Sequence, residues 1–355
     1  MRILELSLNN FRGIKEGSIN FKNLNILIGS NNSGKTTILE GLFLTPNPFR
    51  RVPYGETAIS VLSSLHSTLY SEAYAFLFHN YKDDLASITY SNNSKVKIIF
   101  QKEGSLIGVY MEENDKTYFL GRLSRDSKRE EYDNLRECER ENGKLRAKLS
   151  LLNIPTTDFI SKTIGETIYF HPLLMKHIWN YFSYNWVEFR NAGLTSKIAK
   201  KISEAVAGEY DDLLLEPFIG NQQAIYVRTK DSRGIRLGDL GSGVQVLVTL
   251  MLLYEFIKPE ILLIDDIESH MNPTLLIHST SWFENVLRNG TKLIISTHSL
   301  EATKFITGSL EEYKPQITLL ALNNGILKSR NFSLEEIENL EKKGIDARVS
   351  EGILI

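Results

Sequence analysis

Eight consecutive residues, Gly29-Ser30-Asn31-Asn32-Ser33-Gly34-Lys35-Thr36, fit G-x-x-x-x-G-K-[ST] at every fixed position. The apolar run Leu24–Ile28 leads into them and TILEGLFL follows. The run reads as a strand buried on both faces, and the following segment as a helix that Pro46 and Pro48 stop. A strand, a glycine-rich turn and a helix in that order confine the chain to α/β architectures in which the turn cradles phosphates. The glycines let backbone N–H groups curl around phosphate oxygens, and the helix N-terminus adds positive potential. Lys35 is expected to reach the β- and γ-phosphates, and Thr36 to offer its hydroxyl to Mg²⁺.

The 355 residues suit two domains, or one large α/β domain with an insertion. Basic and acidic residues number 41 and 43, a net charge of −2, so there is no general attraction to nucleic acid beyond what a local basic groove would supply. No apolar run is long enough for a membrane-spanning helix. The richest stretch, Val244 to Ile257, is broken by Gln245, Thr249 and Glu255. The start of the chain lacks the pattern of a signal peptide. The one cysteine, Cys138, excludes a disulfide framework and a cysteine-based metal site. A soluble, cytoplasmic protein is the expectation.

Along the chain, Ile3, Leu6 and Leu8 mark an alternating strand, and Ile19 with Phe21 a second. Apolar spacings of three and four (Ile59, Leu62, Leu65, Leu69, Ala73, Phe76) predict a helix over 55–81. SITY, KVKIIF, LIGVYM and TYFLGRL predict an antiparallel meander over 86–121. The charged segment 124–150 reads as a solvated surface helix or helix pair. Its Leu135, Leu145 and Leu149 are too sparse for a heptad seam, and Gly143 interrupts it. A helix is predicted over 194–207, and a strand at QAIYVRT. From 237 the pattern is α/β again, closing with a hairpin across Asn323-Asn324-Gly325. The expected division is a discontinuous ATP-binding core lobe, 1–45 and 235–355, with an inserted variable lobe at 46–234.

Two further strands end in polar residues. Ile261–Ile264 runs into Asp265 and Asp266. Strand ends of this kind are where α/β sheets bind ligands. Asp265 would hold Mg²⁺ through water, and Asp266 or Glu268 would polarise an attacking water. Alone, this is also the pattern of a strand followed by an acidic helix cap. Leu293–Ile295 runs into Ser296, Thr297 and His298. His298 lies 33 residues after Asp265, which suits one strand–helix–strand crossover and the same crevice. There it would donate a hydrogen bond to a γ-phosphate. Gly241-Ser242-Gly243 opens an apolar helix and forms a second potential anion site.

Taken in order, these motifs resemble the ABC-type ATPase heads of the RecF, SMC and Rad50 class, closest to the AAA15 or OLD-like ATPases. The resemblance rests on SLNNFRGIKEGSINFKNLNILIGSNNSGKTTILEGL, on IRLGDLGSGVQVLVTLMLLYEFIKPEILLIDDIESHMNP and on KLIISTHSLE. It implies a P-loop NTPase with an ABC-type head: a mostly parallel core sheet, an N-terminal antiparallel β element and an inserted α+β lobe. It implies that Asn32, Ser33, Gly34, Lys35, Thr36 and Thr37 bind phosphates and Mg²⁺, with Arg12 close by. Ser242 and Gly243 would meet the γ-phosphate of the opposite subunit in an ATP-dependent homodimer. Asp265 would be the Walker B aspartate, His298 the switch histidine, and residues 268–273 the D-loop.

The chain departs from that family at several points. Asp266 stands where glutamate is usual and is one methylene shorter. A displacement of about 1 Å costs roughly 10²-fold in rate, so hydrolysis is expected to be slow, shared with Glu268, or vestigial. Gly241 stands where transporter ATPases carry serine, and Met271-Asn272 replace the Leu-His of the D-loop. No motif marks the Q-loop glutamine, for which Gln101 and Gln222 are the candidates. The implied activity is ATP hydrolysis with Mg²⁺, serving DNA maintenance, repair or defence, or else controlling a separate effector protein. Residues 309–355 are too few for the nuclease domain of OLD-like proteins, so an effector is expected on another chain.

Overall fold

Strand β1 (Leu4–Phe11) buries Leu4, Leu6, Leu8 and Phe11 and returns antiparallel as β2 (Ile14–Phe21). The computed structural model describes residues 4–348 and 354, apart from 70, 72, 93, 142–143, 161–163, 207, 221, 232, 270 and 272. Strand β3 (Leu24–Ile28) is buried at every position and leads through residues 29–34 into α1 (Lys35–Leu44). The Thr45 hydroxyl donates to the Gly41 carbonyl at 2.6 Å, and Pro46 cannot extend the helix. Helix α2 (Ala58–Leu65) starts from a capping box made by Thr57 and Ser60. The helix expected over 55–81 ends there: Leu69 has a φ of 51° and is fully exposed, and the later apolar residues Tyr74, Leu77 and Phe78 are buried from short 3₁₀ turns instead.

The meander forms as expected: β4 (Leu85–Ser91), β5 (Lys95–Glu103), β6 (Leu106–Glu113) and β7 (Lys116–Ser124). The helix expected over 124–150 does not form. This segment makes β8 (Glu130–Glu131), β9 (Asn134–Glu141) and β10 (Lys144–Pro155). Within β10, Leu145 is buried against Ile99 and Tyr110, whereas Arg146 is exposed and paired in register with Glu139. That two-residue alternation is a strand signal. A helix here would leave the backbone donors and acceptors along the edge of β7 unpaired.

The chain continues with β11 (Thr167–Phe170), α3 (Met175–Tyr184), α4 (Trp186–Asn191) and α5 (Leu194–Val206). Strands β12 (Tyr210–Pro217), β13 (Gln223–Thr229) and β14 (Gly234–Arg236) form a small antiparallel sheet. Then come α6 (Ser242–Ile257), β15 (Ile261–Ile264), α7 (Pro273–Arg288), β16 (Lys292–Ser296) and α8 (Leu300–Ser309). A hairpin of β17 (Gln316–Asn323) and β18 (Ile326–Phe332) precedes α9 (Leu334–Lys342).

Among the described residues, fifteen strands join one sheet. Its parallel part runs β17-β3-β16-β15-β11, so the carboxyl ends of these strands share one side. Beyond β17 the order is β18-β2-β1-β4-β5-β6-β7-β9-β10, antiparallel except where β18 meets β2. The mixed α/β architecture matches the fold class expected from the motifs. The meander extends the N-terminal antiparallel element as one continuous sheet. Helix α1 packs on β1, β11, β15 and β16, so its amino end lies over the shared strand ends.

Arg50 ties the end of α1 to β11. Its side chain is buried and donates to the carbonyls of Phe43 at 3.0 Å and Thr167 at 2.6 Å. It also lies over the Phe43 ring, 4.6 Å from the centroid. Burial lowers its pKa, opposed by the charge of Glu166. Arg50→Met leaves both carbonyls buried and unpaired, at about 1–3 kcal/mol each. The expected loss in urea unfolding is therefore about 3 kcal/mol, and a loss below about 1 kcal/mol would show that the strut is dispensable.

Candidate active site

The 29–34 loop folds around its own lysine. Lys35 is almost wholly buried, and its ammonium donates to the carbonyls of Gly29 at 3.0 Å and Ser30 at 2.9 Å. It lies 3.3 Å from the Ser33 hydroxyl. Two glycines are required here. At Gly29 a Cβ would sit 2.6 Å from the Leu320 carbonyl and 2.7 Å from Ser33 Oγ, and Gly34 has a φ of 95°. Asn32 also takes a left-handed backbone, with a φ of 64°. Thr36 is partly exposed and Thr37 is buried, both in the first turn of α1. The arrangement is a narrow backbone cradle with one cation at its base, which suits a polyphosphate.

The carboxylates lie on the neighbouring strand ends. Asp265 is fully buried. One of its oxygens accepts from the Ser296 hydroxyl, and the other from the Tyr169 hydroxyl at 2.8 Å. Strands β16, β15 and β11 thus converge on one carboxylate. Asp266 has a φ of 48°, and its N–H donates to the Ser296 hydroxyl at 3.0 Å. Its side chain is about one-third exposed, and His298 Nε2 lies 3.7 Å from its Oδ1. Burial raises the Asp266 pKa, as do the charges of Asp265 and Glu268, while His298 and His171 pull it down. Glu268 is occupied differently: one oxygen accepts the His298 N–H, and the other is buried without a partner. A buried carboxylate held by hydroxyls next to a half-open one suits a metal bound through water beside a water-orienting base.

Arg12 is close to the crevice, but its guanidinium pairs with Glu40 of α1. Burial lowers its pKa to about 10, opposed by the nearby Tyr169 and by the charge of Asp265. Glu40 also contacts His66 Nε2 at 2.9 Å. Ser242 and Gly243 open α6, with Ser242 exposed. The Gln245 side chain donates to the Leu240 carbonyl at 2.8 Å and braces that turn. Helix α6 packs on α3, α5 and α7, so this turn and the 29–37 loop have different packing neighbours. In the segment 268–273, expected as the D-loop, His270 and Asn272 lie outside the described residues; Met271 is buried. Gln101 is held inside the meander by Leu145 and Glu103, and Gln222 sits in the turn between β12 and β13.

Sequence reasoning missed Tyr169, His171 and Ser296 as parts of this site. Tyr169 and His171 are two apart at the end of the apolar strand TIYF, the same signal that marked Asp265. The His171 ring accepts the Leu173 N–H at Nδ1 (3.1 Å), so the neutral ring carries its proton on Nε2. Burial lowers its pKa, opposed by Asp265 and Asp266.

Comparison with known proteins bears on the fold and on the family. The chain is similar over 96% of its length, and over all of the other, to an SMC head crystallised with the C-winged helix domain of ScpA (TM-score 0.53, 15% identity). It also resembles an SMC head with an extended coiled coil, bound to the C-terminal domain of ScpA, from Pyrococcus furiosus (TM-score 0.47, 14% identity, 97% of this chain and 99% of that one). At such identities the first likeness establishes the fold alone. No curated protein matches the chain. The family model described as AAA ATPase domain matches residues 1–208, more than half of the sequence, and the chain therefore belongs to the AAA_15 family of ATPase domains.

Proposed function

We propose that the chain binds ATP with Mg²⁺ between the 29–37 loop and the ends of β15 and β16, and hydrolyses it slowly. The observation that carries this reading is the Lys35 ammonium seated inside the loop, with Asp265 buried on a neighbouring strand end. The Asn32, Ser33 and Gly34 backbone, together with Lys35 and Thr37, would hold the phosphates. Thr36 and Asp265 would hold Mg²⁺, which supplies charge neutralisation on the β- and γ-phosphoryl oxygens when bound. Asp266 would orient the attacking water, because it faces the crevice while Glu268 is engaged by the His298 backbone. His298 would donate to the γ-phosphate. Arg12 would serve the phosphates only after leaving Glu40.

Three variants separate these roles. Lys35→Ala is expected to abolish turnover, since the charge over the β/γ-phosphates is gone. Asp266→Asn is expected to slow single-turnover hydrolysis by about 10²-fold while ATP still binds. Glu268→Gln keeps an acceptor for His298 and is expected to stay within about tenfold of wild type. The reverse order for the last two would move the base to Glu268.

Ser242 and Gly243 would complete the site from a second copy, giving an ATP-dependent homodimer. The exposed Ser242 hydroxyl at a helix N-terminus supports this reading. Ser242→Arg should leave ATP binding intact and prevent the dimer that a non-hydrolysable analogue induces. Light scattering reads the result, and an undisturbed dimer would remove the idea.

The downstream role we draw from the RecF-like motifs is DNA maintenance, repair or defence. An ATP-dependent module controlling a separate effector protein is the second reading. Two observations favour it: the Lys197 and Lys201 ammoniums are both drawn to Glu255, at 2.6 and 3.5 Å, and Leu173, Tyr184 and Val187 are exposed. DNA affinity that rises with ATP and falls steeply with salt would support the first reading. No binding to single- or double-stranded DNA at low salt, with ATP present, would favour the second.

A further inference from the structure

Among the described residues after α9, Arg348 reaches the turn that carries His298. Arg348 donates from Nη1 to the carbonyl of His298 at 2.5 Å. The rest of its fork is held by Asp346, with Nε to Oδ1 at 3.0 Å and Nη2 to Oδ2 at 2.6 Å. The Arg348 N–H also donates to Asp346 Oδ1, at 2.9 Å. The segment is itself anchored. Ala347 and Ile337 are buried, and Lys304 of α8 pairs with Glu341 of α9 at 2.8 Å.

His298 is therefore held on both sides of its backbone: Glu268 takes its N–H and Arg348 takes its C=O. The two holders are oppositely charged, and Glu268 adds to the stabilisation of the Arg348 cation. Just beyond, the Ser299 N–H donates to Thr297 Oγ1 at 2.9 Å, and Ser299 caps α8 through Ala302 N at 3.0 Å. The turn from β16 to α8 is pinned at successive residues, and the imidazole that projects from it lies beside Asp266. A guanidinium suits this place because one planar fork serves a carboxylate and a carbonyl together, which an ammonium cannot do in the same geometry.

We propose that Arg348 is a positioning residue: with Glu268 it locks the His298 backbone and so sets the imidazole against Asp266 and the reacting phosphate. The C-terminal segment is thereby part of the catalytic crevice, coupled to turnover without touching nucleotide. This rests on the ATP-hydrolysis reading, and the test separates the two.

The full chain carrying Arg348→Ala or Arg348→Lys is compared with wild type in three measurements: affinity for a fluorescent ATP analogue, single-turnover hydrolysis, and amide hydrogen exchange of a peptide spanning 296–302. For Arg348→Ala, affinity should stay within about twofold, and hydrolysis should slow by roughly 10- to 100-fold. Exchange at the His298 turn should rise about tenfold, as expected for the loss of one charge-assisted hydrogen bond. Arg348→Lys, which keeps the charge but loses the planar fork, should recover part of both. Should the alanine variant not fold, Arg348→Gln, which removes the charge and keeps a donor, is read in the same way. Unchanged exchange overturns the proposal whatever the turnover. Faster exchange with wild-type turnover also overturns it, leaving a contact that only stabilises. If the wild-type chain itself hydrolyses no ATP, the hydrolysis reading fails, and exchange alone decides whether Arg348 holds the turn.

Discussion

A carboxylate buried as deeply as Asp265 persists only if its oxygens are satisfied, because removing an unpaired charge from water costs several kcal/mol or more. Here both oxygens are served by hydroxyls, one from Ser296 on β16 and one from Tyr169 on β11. That solution demands three parallel strands in register, and the pairing supplies it: Ile264 lies opposite Ile295 on one side and Phe170 on the other. The Ser296 hydroxyl does a second task by accepting the Asp266 N–H, which helps hold the left-handed turn that aims Asp266 into the crevice. Slipping any of the three strands by one residue would turn these side chains to the opposite face of the sheet.

Around this carboxylate the chemistry divides cleanly. The 29–37 loop presents backbone and one ammonium, and the strand ends present acids and histidines. The family match covers residues 1–208 and so includes the loop and the strand carrying Tyr169. Asp265, Asp266, Glu268 and His298 lie beyond it, and their case rests on geometry. Glu268 and Asp266 sit two residues apart with different neighbours. Glu268 is tied to a backbone N–H, and Asp266 is about one-third exposed beside an imidazole. Similar side chains so close in sequence have different surroundings because the chain turns between them.

The long antiparallel extension shows how strongly an open edge directs a segment. Residues 124–150 are rich in charges that favour helix, yet β9 and β10 form, because β7 offers a row of backbone partners and Leu145 finds the Ile99–Tyr110 cluster. Local propensity is worth a few tenths of a kcal/mol per residue, and tertiary pairing overrides it.

The 29–34 loop, the acidic end of β15 and the polar turn after β16 were legible in the sequence because each is a contiguous pattern tied to a period: an apolar run, then glycines or polar residues. Those patterns also determined the α/β class and the order of the core elements. The sequence could not show that Tyr169 and Ser296 share Asp265, that Arg12 is drawn to Glu40, or that Arg348 reaches the His298 carbonyl across 50 residues. These contacts join strand ends, a helix and a tail that are distant in the chain. Contiguous residues encode local backbone geometry, but only the packed sheet decides which distant side chains must satisfy one another's buried charges and hydrogen bonds.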